Sequence, residues 1–113
     1  MLFRSSASKT FSSNQTVYLY VRDELDNIAL CSTITINKID KTGPSISDAL
    51  VSPAEWSSED GSVTVTAVDS GAGIKDYSFD GGATWQTSNI KTYTGNTSGI
   101  VIKVRDQVNN IST

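Results

Sequence analysis

The stretch Val21–Ile28 (VRDELDNI) occurs a second time, 83 positions later, as Val104–Ile111 (VRDQVNNI). Apolar and polar residues alternate along Thr16–Arg22 and again along Ile100–Arg105, a period that predicts strands with one face on a core. Asp and Asn then follow in both copies and tolerate the backbone conformations of tight turns. Each copy is therefore predicted to be a strand that enters a hairpin turn, with turn residues Asp23, Asn27, Asp106 and Asn110.

A second repeated segment lies upstream, at an offset of 82. Lys9-Thr10-Phe11 returns as Lys91-Thr92-Tyr93, and Phe3 falls opposite Trp85. The one-residue difference places an insertion in the loop before the repeated strand, where Gly99 is the natural candidate.

The phase of the repeat predicts that the first copy begins inside a unit. We expect residues 1–37 to be the C-terminal part of a preceding repeat, with strands that pair with the next unit or are donated to it. Residues 38–45 are expected to be a linker, because Gly43-Pro44 resists both helix and ladder pairing. Residues 46–113 would then be a repeat without its last strand. Such units are built to stack in a longer protein.

Further alternating runs complete the predicted fold, with turn residues about every eight to twelve positions, as in antiparallel sandwiches. Val63, Val65 and Ala67 are expected to face the core. The additional predicted strands are Ser32–Ile36, Ile46–Val51, Ser62–Val68, Ile74–Phe79 and Lys91–Tyr93.

Composition narrows the possible partners. The 113 residues carry a net charge of −3 and only 19% charged residues, without a basic cluster. We therefore expect no nucleic-acid partner and, without a long apolar run, no membrane insertion. Cys31 is the single cysteine, which excludes an internal disulfide. We expect it to be half-buried at the start of a strand.

The connector Ile39–Pro44 (IDKTGP), together with the two V-R-D-x-x-[DN]-N-I turns, resembles the bacterial Ig-like repeats of secreted and cell-surface proteins. The resemblance covers nearly the whole chain and implies an all-β, Ig-like or fibronectin-III-like antiparallel β-sandwich, here with an N-terminal partial repeat. In the family's usual D-x-A-G-N turn the fourth residue is Gly, which Asp26 and Asn109 replace. The resemblance implies an extracellular or surface location and neighbouring Ig-like repeats as partners, but no particular ligand.

Residues 78–85 (SFDGGATW) are similar to the Asp-box hairpin known from sialidases. Asp80 would accept N–H groups of its own turn, Gly82 would permit the reversal and Trp85 would cover the hairpin. In sialidases such boxes lie away from the active site, so the resemblance implies structure and not catalysis. The predicted structural turn motif comprises Ser78, Asp80, Gly82, Thr84 and Trp85.

Catalytic chemistry has few candidates in this sequence, which contains no histidine. The usual general base near neutral pH is therefore missing, and no nucleophile-elbow motif occurs. The acid pairs Asp23-Glu24 and Glu59-Asp60 lie at strand ends or turns, where they would diverge instead of converging across a cleft. We expect no enzyme activity, no catalytic residues and no cofactor.

Two kinds of ligand stay open. Calcium prefers six to eight oxygen ligands, and turn oxygens are available, although such residues ordinarily bond their own backbone. We therefore predict no metal site, with Asp69, Asp76, Asp80, Asp106 and Asn109 as the alternative donors.

Aromatic side chains are the second possibility, since Tyr18, Tyr20 and Trp56 can stack on a glycan if they are exposed. The competing expectation is that Trp56 packs on the edge of the sandwich and the tyrosines cover its outer sheet.

The sequence favours a non-catalytic structural spacer or adhesion segment of a bacterial surface or secreted protein, with a glycan or protein as its possible ligand. The alternative is an accessory carbohydrate-binding module of an exported glycosidase. Because the strand Ile100–Arg105 lacks a following partner, we also expect an open edge that Ser32–Ile36 of another molecule can fill. Such an exchange would give a strand-swapped homo-oligomer.

Overall fold

The structure, a computed structural model, describes residues 8–113, and within that range every regular element is a β-strand. Pairs between these strands are antiparallel, which confirms the all-β class. The chain divides into unit 1, Met1–Ile39, and unit 2, Asp40–Thr113. The strands are β1 (Gln15–Arg22), β2 (Ile28–Ile36), β3 (Ser45–Ser52), β4 (Gly61–Val68), β5 (Ile74–Ser78), β6 (Ile90–Tyr93), β7 (Lys103–Asp106) and β8 (Ile111–Ser112).

Unit 1 contains a two-stranded hairpin of β1 and β2, whose register runs from Gln15 opposite Ile36 to Arg22 opposite Ile28. A shift in this register leaves Cys31 as a bulge residue, and its side chain is exposed. The expectation of a half-buried Cys31 is therefore wrong, because a bulge takes a residue out of the alternation that predicted its burial.

Unit 2 contains two three-stranded sheets, with strand orders β3-β4-β6 and β5-β7-β8. Val63 and Val65 of β4 and Val104 of β7 are buried together with Phe79, which follows β5. Both sheets therefore supply side chains to one core. The alternation predicted for β4 holds, since Ala67 packs against this cluster from the same side of its strand.

The strand predicted from Ile100 begins later than expected. Regular pairing starts at Lys103, while Val101 makes only an isolated bridge to Asp80 and its carbonyl accepts the N–H of Gly81 at 3.0 Å. Gly99, the predicted insertion, has a φ of 72°, a left-handed conformation that glycine adopts without steric cost. The insertion thus lies in the irregular segment between β6 and β7.

The predicted linker contains the boundary between the units, which falls between Ile39 and Asp40. In unit 2, the Asp40 carboxylate accepts the N–H of Ala72 at 2.8 Å, and its backbone carbonyl accepts the side-chain amide of Asn110 at 3.1 Å. A side chain at position 71 would overlap the Asp40 carboxylate, which explains the glycine there. In unit 1, the Asn14 side-chain amide pairs with both backbone groups of Ile39.

Phe3, matched to Trp85 by the repeat, lies outside the described residues. Residues 8–113 include no helix of the length and apolarity that crossing a membrane requires.

Candidate functional site

The two repeated turns have the same hydrogen bonds. In the first, Asp23 Oδ1 accepts the N–H groups of Leu25 and Asn27, both at 2.9 Å, and Oδ2 accepts the Asn27 side-chain amide at 2.9 Å. Asp26 occupies the position with positive φ, at 62°. The carboxylate therefore satisfies the turn's own N–H groups, and the hydrogen bonds from Asn27, chiefly that of its side chain, lower the pKa of Asp23.

The second turn repeats this arrangement around a buried aspartate, although Val108 and Asn109 of the turn are exposed. Asp106 Oδ1 accepts the N–H groups of Val108 and Asn110 at 2.9 Å, and Oδ2 accepts the Asn110 side-chain amide at 2.8 Å. Asn109 has a φ of 70°, matching Asp26. Burial by itself raises the pKa of Asp106, but the hydrogen bonds from Asn110 and Val108 outweigh it and the net pKa is lowered.

The turn at residues 78–85 is built around the Asp80 carboxylate. Oδ1 accepts the Ser78 hydroxyl at 2.8 Å and the Thr84 N–H at 2.9 Å, while Oδ2 accepts the Thr84 hydroxyl at 2.5 Å. The Ser78 hydroxyl oxygen also accepts the N–H of Gly82 at 2.8 Å. These bonds, led by that of the Thr84 side chain, lower the pKa of Asp80 to about 2. All four polar partners belong to the predicted turn motif.

Trp85, the last residue of that motif, forms part of a second polar arrangement. Its ring lies 4.2 Å from the guanidinium carbon of Arg105, measured to the ring centroid. Arg105 donates Nε–H to one Asp76 oxygen at 2.9 Å and Nη2–H to the other at 2.6 Å. The pair raises the pKa of Arg105, and only 23% of the Arg105 side chain is exposed. A bidentate ion pair therefore joins β5 to β7 under an aromatic ring.

Three carboxylates converge elsewhere in unit 2, since Asp40, Asp69 and Asp106 each place one oxygen within 4.8 Å of the others. Of the sequence-predicted oxygen donors, Asp69 and Asp106 are thus brought together. Asp76 is paired with Arg105, and Asp80 is exposed but hydrogen-bonded within its own turn. The converging carboxylates also accept backbone N–H groups, for example that of Gly73 on Asp69 at 2.7 Å. Each of these side chains already has a structural role.

Trp56 has a relative exposure of 100%, so the expectation that it packs on a sandwich edge is wrong. It follows β3 in a loop that lines an open groove of about 980 Å³, together with Tyr93. No strand pairing fixes this loop, and the apolar ring therefore has no cover within the described residues. In unit 1, Tyr18 and Tyr20 are also exposed, at 63% and 59%.

Sequence reasoning missed two of these arrangements. By alternation, the side chain of Arg105 lies on the outer face of its strand. Its pairing with Asp76 depends on a register shift in β5, which leaves Lys75 without a paired residue in the strand ladder. The contribution of Asp40 was missed because it lies in the connector. One sequence signal could have pointed to Arg105, because an arginine precedes the turn aspartate in both copies of the repeat, as Arg22 and Arg105.

Comparison of the chain with protein-family models, curated proteins and solved structures returned no match.

Proposed function

We propose that this chain is a non-catalytic repeat module with an Ig-like or fibronectin-III-like β-sandwich fold. It acts as a structural spacer or adhesion segment of a bacterial surface or secreted protein, next to further repeats of its kind. The two three-stranded sheets of unit 2, which share one core, support the sandwich architecture.

The observation that carries the proposal is the identity of the two hairpins. Arg22 pairs with Ile28 and Val21 with Ala29, and the same register joins Arg105 to Ile111 and Val104 to Ser112. The turns between these strands also share their hydrogen bonds and their left-handed residue. A backbone motif that recurs in two separate compact units indicates tandem modules.

The positions of the acidic side chains favour a structural role. Asp23, Asp80 and Asp106 each bind N–H groups of their own turn, and Asp76 is held by Arg105. Carboxylates engaged in this way stabilise turns and strand pairs instead of meeting a substrate. We therefore propose no catalytic activity for this segment. Its net charge of −3 and its lack of a basic cluster or a long apolar run support the further proposal of no nucleic-acid partner and no membrane insertion.

Concatemers test the spacer role. Each test protein carries two, three or four copies of residues 1–82, followed by one full chain. Successive copies are then 82 residues apart, which is the offset that relates Lys9–Phe11 to Lys91–Tyr93. Small-angle scattering should show a maximum dimension that grows linearly with the number of repeats, as for a stack of folded modules. Growth with the square root of that number, as for flexible linkers, would contradict the proposal.

An accessory carbohydrate-binding module is the second candidate, and the full exposure of Trp56 beside an open groove favours it. Exposed rings can stack on the apolar face of a sugar. A glycan array probed with the full chain and with Trp56→Ala distinguishes the candidates. Binding that disappears in Trp56→Ala but persists in the matched variant Tyr20→Ala would support the carbohydrate function.

A further inference from the structure

Two aliphatic side chains of β1, Val21 and Leu19, are exposed, whereas their counterparts in unit 2 are buried or partly buried. Val21 is 54% exposed and Leu19 is 47% exposed. The repeat matches Val21 to Val104, which is fully buried, and Leu19 to Ile102, which packs on the core of unit 2. Since the two strands have the same register in their hairpins, the difference lies in what covers them. In unit 2 that cover includes Val63 and Val65 of β4.

The outer edge of β1 differs from that of β7 in the same way. In unit 2, β5 pairs with β7 and sets Asp76 opposite Arg105. Within the described part of unit 1, β1 pairs only with β2. Arg22, the counterpart of Arg105, is 67% exposed and lies 3.6 Å from Asp26, a contact between exposed groups that stabilises little.

We propose that β1 is a docking edge for a half-module, by which we mean a segment with the strands and side-chain chemistry of residues 45–82 of this chain. The half-module supplies a strand of β5 type whose aspartate pairs with Arg22, and a strand of β4 type whose valines cover Val21 and Leu19. This inference rests on the proposed function and names the partner surface that the repeat requires.

Charge and occupancy select this partner over a second copy of the chain. An acidic residue opposite Arg22 would reproduce the bidentate pair of unit 2 and take the guanidinium out of water with its counter-charge. In an intact second copy, the β5 edge and the Val63–Val65 surface are already taken by β7. A second copy would therefore offer this half-module only by displacing its own hairpin.

A fusion protein tests the docking edge with the full chain intact. A second copy of residues 45–82 is placed directly before Met1. The added segment then precedes Lys9–Phe11 by the same spacing at which residues 45–82 precede Lys91–Tyr93. Amide exchange then reports the protection of β1, and urea unfolding is measured for Arg22→Ala, for Asp76→Ala in the added segment and for both together. The resident pair, Arg105 and Asp76 of unit 2, gives the reference coupling, and Arg22→Ala combined with Glu59→Ala of the added segment is the matched control.

We expect the amides of β1 to exchange on the order of a hundredfold more slowly in the fusion than in the chain alone. We also expect Arg22 and the added Asp76 to be coupled by about tenfold in the unfolding equilibrium constant, and the control pair to show no coupling.

Three outcomes would overturn this inference, and the first two separate it from the proposed function. Protection of β1 without coupling would leave the repeat module standing and refute the Arg22 partner. An unprotected β1 in the fusion would refute the repeat equivalence itself. The full chain alone, sized by light scattering at several concentrations, provides the last check. A concentration-dependent dimer with a protected β1 would identify a second copy as the occupant and contradict the inference.

Discussion

The hairpin of β1 and β2 and the hairpin of β7 and β8 have the same turn, but they differ in what surrounds them. Val104 has no exposed surface, whereas Val21 at the matching position is 54% exposed. The hydrogen bonds of the turn are the same in both settings, so the turn does not depend on burial. The sequence VRDxxxNI therefore specifies a hairpin locally, while the stability of that hairpin depends on the sheet that covers it.

The largest expected difference between the hairpins follows from truncating the matched valines. Val104→Ala should lower the free energy of unfolding of unit 2 by about 2–3 kcal/mol, because it leaves a cavity between both sheets. Val21→Ala should change the stability of the chain by less than about 0.5 kcal/mol, since its side chain is largely in water. Urea unfolding, followed by tryptophan fluorescence for unit 2 and by circular dichroism for the whole chain, measures both variants, and equal losses would contradict the difference between the hairpins.

Removing the turn aspartate should have a smaller effect of the same kind. Asp106→Ala leaves the N–H groups of Val108 and Asn110 without their acceptor in a part-buried site, whereas water can replace the carboxylate of the exposed Asp23 in Asp23→Ala. We expect a measurable fall in the Tm of unit 2 for Asp106→Ala, and no measurable fall in the NMR population of the first hairpin for Asp23→Ala. A similar fall in both would show that burial does not set the cost.

Acid should destabilise unit 2 through the lowered pKa values of its turn aspartates, Asp80 and Asp106. Asp80 has a pKa of about 2 in the folded chain against an ordinary value of 3.8, so its contribution is fully present above pH 3.8. That contribution is lost as the pH falls through about 2, because the unfolded chain takes up the proton first. Urea midpoints of unit 2 should therefore decline from about pH 4 downward.

The acid effect has a matched control. Asp80→Asn should flatten the decline, while Asp60→Asn, in an exposed loop, should leave it as in the parent chain. A decline that Asp80→Asn does not change would assign the acid sensitivity to other groups, with Asp106 as the next variant to measure.

The smallest expected effect concerns the left-handed residue of the turn. Asn109→Val should destabilise unit 2 by about 1–2 kcal/mol, because a β-branched side chain crowds the backbone at positive φ. Asn109→Gly should stay within about 0.5 kcal/mol of the parent. Asp26→Gly and Asp26→Val should give the same order in the population of the first hairpin by NMR. Opposite orders at the two positions would show that the turns are not equivalent.

Most strand positions along the chain could be predicted from the sequence, because they depend on local patterns. The alternation in Ser62–Val68 and the Asp and Asn pairs after β1 and β7 are signals within a few residues of each other. The two hairpin turns were also predicted, because Asp and Asn tolerate the backbone conformations of tight turns. The repeated stretch was therefore the main basis for predicting the two hairpins.

The parts that failed depend on bulges and on long-range contacts. Bulges at Cys31 and Lys75 change which face the next residues take, and no pattern in the sequence marks them. The pair between Asp76 and Arg105 depends on the second of these bulges. Trp56 was wrongly predicted to be packed, because an aromatic residue in a loop gives no indication of whether a partner covers it.

We propose that β1 and β7 are the same element of a repeated module, exposed in unit 1 and covered in unit 2. Amide exchange on the full chain distinguishes the two strands. We expect the β7 amides paired with β5 to exchange only through unfolding of unit 2, and the ladder amides of β1 to exchange on the order of a hundredfold faster. Equal protection of the two strands at all protein concentrations would contradict it.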